Sequence, residues 1–199
     1  MKALFQIWCI TFGLAFIWPQ VWRAVRNDTS HGISPFALMH SLVGSSLWLT
    51  YGLLEGDIAI WFSNISFLIA QSIIISVVYR HGKIPRAVLI QVGAALAALA
   101  LLLTQVSATP VGLVAIAISG SSIIPQLIHV IRTENLHGIS ISSYLLTIVN
   151  CTSWLLYGFY VHDPMVSAQN FFAIPVFVYI TAKAARWRSA NPDYVVSAS

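Results

Sequence analysis

Long apolar stretches along this chain alternate with short polar ones at near-regular intervals. Seven stretches (4–25, 35–54, 58–79, 86–107, 111–132, 141–160 and 165–186) each approach the roughly 20 apolar residues a helix needs to cross a hydrocarbon core. Their connections are too short for a soluble domain. The helical bundle is therefore expected to be the whole protein, followed by a short, loose polar tail over 187–199. Lys2 ahead of the first apolar stretch has the look of a secretory leader. No small-x-small cleavage site follows it, and its counterpart at 111–132 lies mid-chain, so a retained helix is expected.

That counterpart exists because the chain repeats itself. Shifted by 106 residues, Pro19-Gln20 falls on Pro125-Gln126, Arg26 on Arg132, and His31-Gly32-Ile33-Ser34 on His137-Gly138-Ile139-Ser140. Trp48-Leu49, Tyr51-Gly52, Asp57 and Asn64 fall on Trp154-Leu155, Tyr157-Gly158, Asp163 and Asn170 without a gap. This is an internal duplication. Each copy holds three helices, an odd number, so two copies joined directly would point in opposite directions across the bilayer. The unrepeated, Ala- and Leu-rich segment 86–107 restores a parallel orientation. The fold class expected is an all-α membrane protein: seven transmembrane helices, two parallel three-helix-bundle repeats and an inversion linker helix. The implied division is 1–80, 81–109, 110–187 and a flexible cytoplasmic tail at 188–199. Parallel repeats of this kind belong to transporter layouts that bind substrate between the repeats near the bilayer midplane.

Composition leaves no soluble alternative. Apolar residues make up 58% and charged residues 8% of the 199 positions, against about 25% charged in a soluble domain. With the N-terminus outside, the inner ends collect Arg23, Arg26, Arg80, Lys83, Arg86, Arg132, Lys183, Arg186 and Arg188, leaving Lys2 alone outside. The net charge of +4 is thus a topology signal and points to no nucleic acid. The lipid bilayer is the evident partner, and a plasma-membrane location is expected. Cys9 and Cys151 lie in separate helices and read as packing thiols.

Four groups of residues could carry chemistry. Pro19 and Pro125 each remove a backbone hydrogen bond within a helix. Such prolines are often merely tolerated in membranes, but their recurrence in register argues for hinges, with Gln20 and Gln126 rescuing freed carbonyls. The loops from Arg26 to Ser34 and from Arg132 to Ser140 read as structural turns, with Ser34 and Ser140 as N-caps and His31 and His137 interfacial. Trp48 with Asn64, and Trp154 with Asn170, flank short outer turns. At 1.5 Å per residue each lies about 10–14 Å below the outer surface. Asparagine in hydrocarbon serves either as helix–helix glue or as a ligand contact. Two symmetric Trp/Asn pairs favour a neutral polyhydroxy ligand, stacked on indole faces and bonded by amides that both donate and accept. Finally, Tyr51 and Asp57 beside Tyr157 and Asp163 are either solvated loop residues or an outer gate, and the sequence does not choose.

Between the expected helix ends there is no Asp or Glu. Proton-coupled carriers place a titratable group there, and His40 and His129 have no repeat mate of their own type. Facilitated diffusion is favoured. No nucleotide loop, metal-ligand cluster or nucleophile triad is legible, so no cofactor and no enzymatic activity are expected.

On these residues the chain resembles the PQ-loop superfamily, and within it the SWEET sugar transporters. Two Pro-Gln pairs carry the first resemblance. The Trp…Asn pair in each half, with Trp-Leu-x-Tyr-Gly, carries the second. It covers about residues 4–186. The resemblance implies two three-helix bundles of spatial order 1-3-2 that work by alternating access. It further implies a mono- or disaccharide site at Trp48, Asn64, Trp154 and Asn170, with Pro19 and Pro125 closing an inner gate. Small residues one turn before each Trp also line such pockets; here they are Gly44 and Asn150. A proton-independent bidirectional uniporter is the leading expectation. An amino-acid or vitamin carrier of the same layout, and a seven-helix peptide-binding receptor, are the alternatives. Homo-oligomers are compatible with all of these, and nothing in the sequence sets their number.

Overall fold

A computed structural model describes residues 1–30, 33–103, 105–136 and 139–191. His31, Gly32, His137 and Gly138 of the repeated loops, and 192–199 of the tail, lie outside the described residues. The described chain is all-α, with helices α1 (Lys2–Arg26), α2 (Pro35–Leu54), α3 (Ile58–Arg80), α4 (Arg86–Leu103), α5 (Ala108–Ser121), α6 (Ile123–Arg132), α7 (Ile141–Val161) and α8 (Pro164–Ala190). The fifth expected segment is one span broken at Ser122. Proline at 125 cannot donate to the carbonyl of Ser121 and crowds it, so the ladder fails one turn ahead of the ring. α8 runs to Ala190, four residues past its expected end, and accommodates Pro175 in its interior.

Five spans are long and apolar enough to cross a membrane: α1, α3, Ala108–Arg132, α7 and α8. α2 has the length, at 20 residues, but His40, Ser41, Ser45, Ser46 and Thr50 dilute it. α4 offers a shorter apolar stretch, Arg86–Ala98.

Helix starts follow from side chains in the turns. The hydroxyls of Ser34 and Ser140 accept from the backbone N–H of Ala37 and Ser143, both at 3.3 Å. Asp57 and Asp163 do the same for α3 and α8. Asp57 Oδ1 accepts from the N–H of Ala59 (2.9 Å) and Ile60 (3.3 Å), and Asp163 Oδ1 from Met165 (2.9 Å) and Val166 (3.1 Å). Each cap satisfies amides that no helical carbonyl can reach. At these turns the helices meet backbone to backbone. A methyl group on Gly52 would lie 2.6 Å from the Trp61 nitrogen, and one on Gly158 2.8 Å from the Ser167 nitrogen. Only glycine fits.

The chain divides into two compact units, Met1–Ser119 and Gly120–Ser199. In the first, α3 packs on both α1 and α2; in the second, α8 packs on both α6 and α7. The spatial order within each is therefore 1-3-2. The cores are built on repeat mates. Ala24, Ile74 and Val78 are buried in the first, and Val130, Ile180 and Ala184 at the matching positions in the second. Leu38 is matched by Tyr144, which packs against the second core.

Polar contacts distinguish the two. In the first unit the Trp18 indole N–H donates to Ser66 Oγ (3.2 Å) and the Gln71 amide to Ser41 Oγ (2.6 Å), joining α3 to both neighbours. The mates of Trp18, Ser66 and Gln71 are Ile124, Phe172 and Phe177, which have no such chemistry. Where α1 and α3 end, Arg80 pairs with Asp28 at 3.0 Å, and Ser30 meets His81 Nδ1 at 2.9 Å. In the second unit cations take carbonyls, as Lys83 does with the Ser30 oxygen (3.0 Å) in the first. Lys183 donates to the oxygens of Val130 (2.6 Å) and Ile131 (3.1 Å), at the negative end of the α6 dipole. Arg188 donates to that of Ile139 at 2.7 Å. These charges fasten the loops.

Candidate functional site

His40, Gly44 and Trp48 recur every fourth residue and so form one stripe on α2. Within the first unit this stripe meets the end of α5. His40 Nε2 lies 2.7 Å from the carbonyl oxygen of Ile118. A carbonyl only accepts, so this nitrogen carries the hydrogen. The Trp48 indole N–H donates to Ser119 Oγ at 3.1 Å. A methyl on Gly44 would sit 3.2 Å from the same oxygen, tighter than ordinary contact.

Tyr51 stands edge-on to Trp48, with ring centroids 5.4 Å apart, and Tyr157 to Trp154 at 5.8 Å. Both tyrosines are buried, so each indole is oriented by a ring one turn further along its helix. Asn64 donates to the carbonyl of Ile60 and Asn170 to that of Val166, both at 2.8 Å. The same bond at the same register in both halves holds the two amides alike. Among the described residues it is the hydrogen bond each amide makes, which leaves the amide oxygen as an acceptor for a ligand. No hydrogen bond joins Trp48 to Asn64 or Trp154 to Asn170 among the described residues.

The remaining positions are less symmetric. Asn150, the mate of Gly44, buries its Oδ1 with no hydrogen-bond partner. Gln20 is exposed, whereas Gln126 shares a side-chain hydrogen bond with Tyr144 of α7. α1 runs unbroken through Pro19, while the span carrying Pro125 breaks at Ser122. Asp57 is buried, caps α3 and lies 3.7 Å from the Lys2 ammonium. Asp163 caps α8. Among the described residues no three His, Cys, Asp or Glu side chains gather to hold a metal.

Ser119 and the Trp18–Ser66 pair were not legible as part of this arrangement. A serine in an apolar run carries no mark of its partner. The capping of Asp57 and Asp163 could have been read from an acidic residue just before an apolar run, followed at 164 by proline in the first turn.

An all-α chain with five helices long and apolar enough to cross a membrane, a duplicated three-helix unit and paired Trp and Asn in each copy defines a multi-pass integral membrane protein. Residues 111–182 match the family described as "Sugar efflux transporter for intercellular exchange", and residues 3–61 match the PQ loop repeat. The chain is 37% identical over 85 residues to the "Sugar transporter SemiSWEET" of Escherichia coli (strain UMEA 3162-1), covering 42% of this chain and 92% of that one. It is 28% identical over 135 residues to the "Sugar transporter SWEET1" of Rattus norvegicus, covering 62% of this chain and 61% of the rat protein's length. The structure described as "The 3.7 A resolution structure of a eukaryotic SWEET transporter" superposes with a TM-score of 0.71. That likeness, at 18% identity, spans 94% of this chain and 99% of the other, and it shows the fold. The chain belongs to the SWEET family, whose members compared here carry transporter names and not those of enzymes.

Proposed function

We propose that this protein moves a small neutral sugar, a mono- or disaccharide, across a membrane by alternating access, as a proton-independent bidirectional uniporter. The observation that carries the reading is the recurrence, in each half, of one arrangement. An indole held edge-on by tyrosine sits one helix away from an asparagine whose N–H is returned to its own helix. Indole faces accept the apolar faces of a sugar ring. The free amide oxygens of Asn64 and Asn170 accept from its hydroxyls, and the buried, unpartnered oxygen of Asn150 gains the donor it lacks. Gly44, its mate, lets α2 approach Ser119 closely beside Trp48. The names of the two relatives, both sugar transporters, support the same cargo.

The working division is two repeats, 1–80 and 110–187, with the linker 81–109 between them and a cytoplasmic tail from 188. Pro125 with Gln126 serves the inner gate as its hinge, and Pro19 with Gln20 lines that gate at the matching place in the first repeat. Tyr51, Asp57, Tyr157 and Asp163 mark the outer gate, where the carboxylates keep the turns rigid as the tyrosines close. The N-terminus faces outward, the C-terminus is cytoplasmic, and the plasma membrane is the site of action. The family match to a relative spanned by 42% of this chain makes association between copies worth measuring.

Counterflow in proteoliposomes tests the reading directly, with labelled glucose and sucrose, with and without a pH gradient, beside an amino-acid panel. Sugar exchange indifferent to pH and lost in Asn170→Ala is the expected result. Silence with sugars and proton-driven uptake of an amino acid would overturn it.

A further inference from the structure

The two Pro-Gln helices occupy equivalent places in the repeat, yet they are built differently. α1 continues through Pro19 as one helix, and Trp18, the residue just before the ring, donates to Ser66 of α3. The mates at these positions are Ile124 and Phe172, so the second half has no such staple. There the span breaks at Ser122. The residues ahead of the break are fastened to α2. The carbonyl of Ile118 accepts from His40 Nε2 at 2.7 Å. One residue on, Ser119 accepts from Trp48. Beyond the break, Gln126 bonds Tyr144 of α7 and α6 packs on α8. The boundary between the compact units falls after Ser119. Gly120, the next residue, has open space where a side chain would be.

We propose that the two halves are mechanically unequal: His40 and Ser119 anchor α5 to α2, and bending is concentrated at Gly120–Ser122, while α1 stays straight through Pro19. His40 and Ser119 are positioning residues in this scheme. They fix one side of the flexion point, and one of their contacts runs through Trp48, so the stacking residue of the first half and the hinge of the second share a hydrogen bond. The proposal goes beyond the cargo reading and holds for any solute.

Pulsed electron–electron distance measurements on spin-labelled full-length protein in nanodiscs test it, in a background with the buried Cys9 and Cys151 replaced by alanine. Leu4 and Trp22 are exposed on α1, and Leu113 and Ile131 on α5 and α6. Each pair spans 18 residues, about 27 Å along a straight helix. A narrow distribution is expected for the α1 pair and a broad or two-peaked one for the α5–α6 pair. Gly120→Ala, whose methyl meets no neighbour, should narrow the latter. A third pair, Phe36 with Leu113, reports the anchorage and should broaden in both His40→Ala and Ser119→Ala. An α1 distribution as broad as that of α5–α6 would overturn the proposal. So would a Gly120→Ala variant of unchanged width, or a third pair indifferent to both anchor substitutions. None of these readings uses a sugar, so failed counterflow and failed bending remain separate results.

Discussion

Asn64 and Asn170 show what a polar side chain gains from returning one hydrogen bond to its own helix. The donor to Ile60 or Val166 offsets part of the cost of burial and fixes the direction of the free oxygen. Asn64→Ala and Asn170→Ala are each expected to lower sugar exchange by at least about tenfold while the protein remains folded in detergent, since each removes an acceptor without disturbing a ladder. Retained uptake in both, measured against the melting temperature of the same samples, would remove these residues from the site. Asp163 behaves otherwise. As the cap of α8 its loss leaves two first-turn amides unsatisfied, so Asp163→Ala should cost about 1 kcal/mol of stability, read as a lowered melting temperature, with Asp163→Asn largely sparing it. The aromatic and amide types at these positions were legible because they recur at 106 residues. The bonds of His40 to Ile118 and of Trp48 to Ser119 were not, since His40 and Ser119 have mates of another type, Leu146 and Gly13.

Among the elements, the α2–α3 and α7–α8 turns are the least tolerant. Gly158→Ala drives a methyl into the backbone at Ser167, and a loss of about 1–3 kcal/mol is expected. Gly93→Ala on α4, where an added methyl meets nothing, should be neutral or stabilising because alanine suits a helix better. Thermal unfolding of the two in detergent separates them. Helix positions were readable from apolar length alone, to within a few residues at most ends. The break at Ser122 was not. Pro19 and Pro125 share the Pro-Gln pair, and what sets α1 apart is the contact of the preceding Trp18 with Ser66 on another helix. For the same reason Pro125→Ala is expected to slow exchange more than Pro19→Ala does, with ligand affinity changed little in either. Affinity that collapsed while turnover per bound protein stayed normal would remove both prolines from the gating step.

For the whole molecule, the duplication made the fold legible, because three helices per copy require a linker before a second parallel copy can follow. The division of labour between the copies was hidden in mates that differ: Trp18 and Ile124, Ser66 and Phe172, Gln71 and Phe177. The first copy holds its central helix with hydrogen bonds and the second with apolar packing. Labelling of single cysteines from either side should find position 2 reachable from outside and positions 83 and 183 from within; the reverse pattern would invert the topology. The close approach at Gly52 has a bearing on biosynthesis. α2 by itself is too rich in Ser, Thr and His to leave the translocon readily, whereas α3 has a mean hydropathy of 1.9. Joined by a turn that Asp57 caps and Gly52 lets close, the two form a hairpin in which the Ser41 hydroxyl of α2 already has the Gln71 amide of α3 as its partner. Paired entry of the two spans is the expected consequence, with α2 held longer at the channel in chains truncated before α3 than in chains that include it.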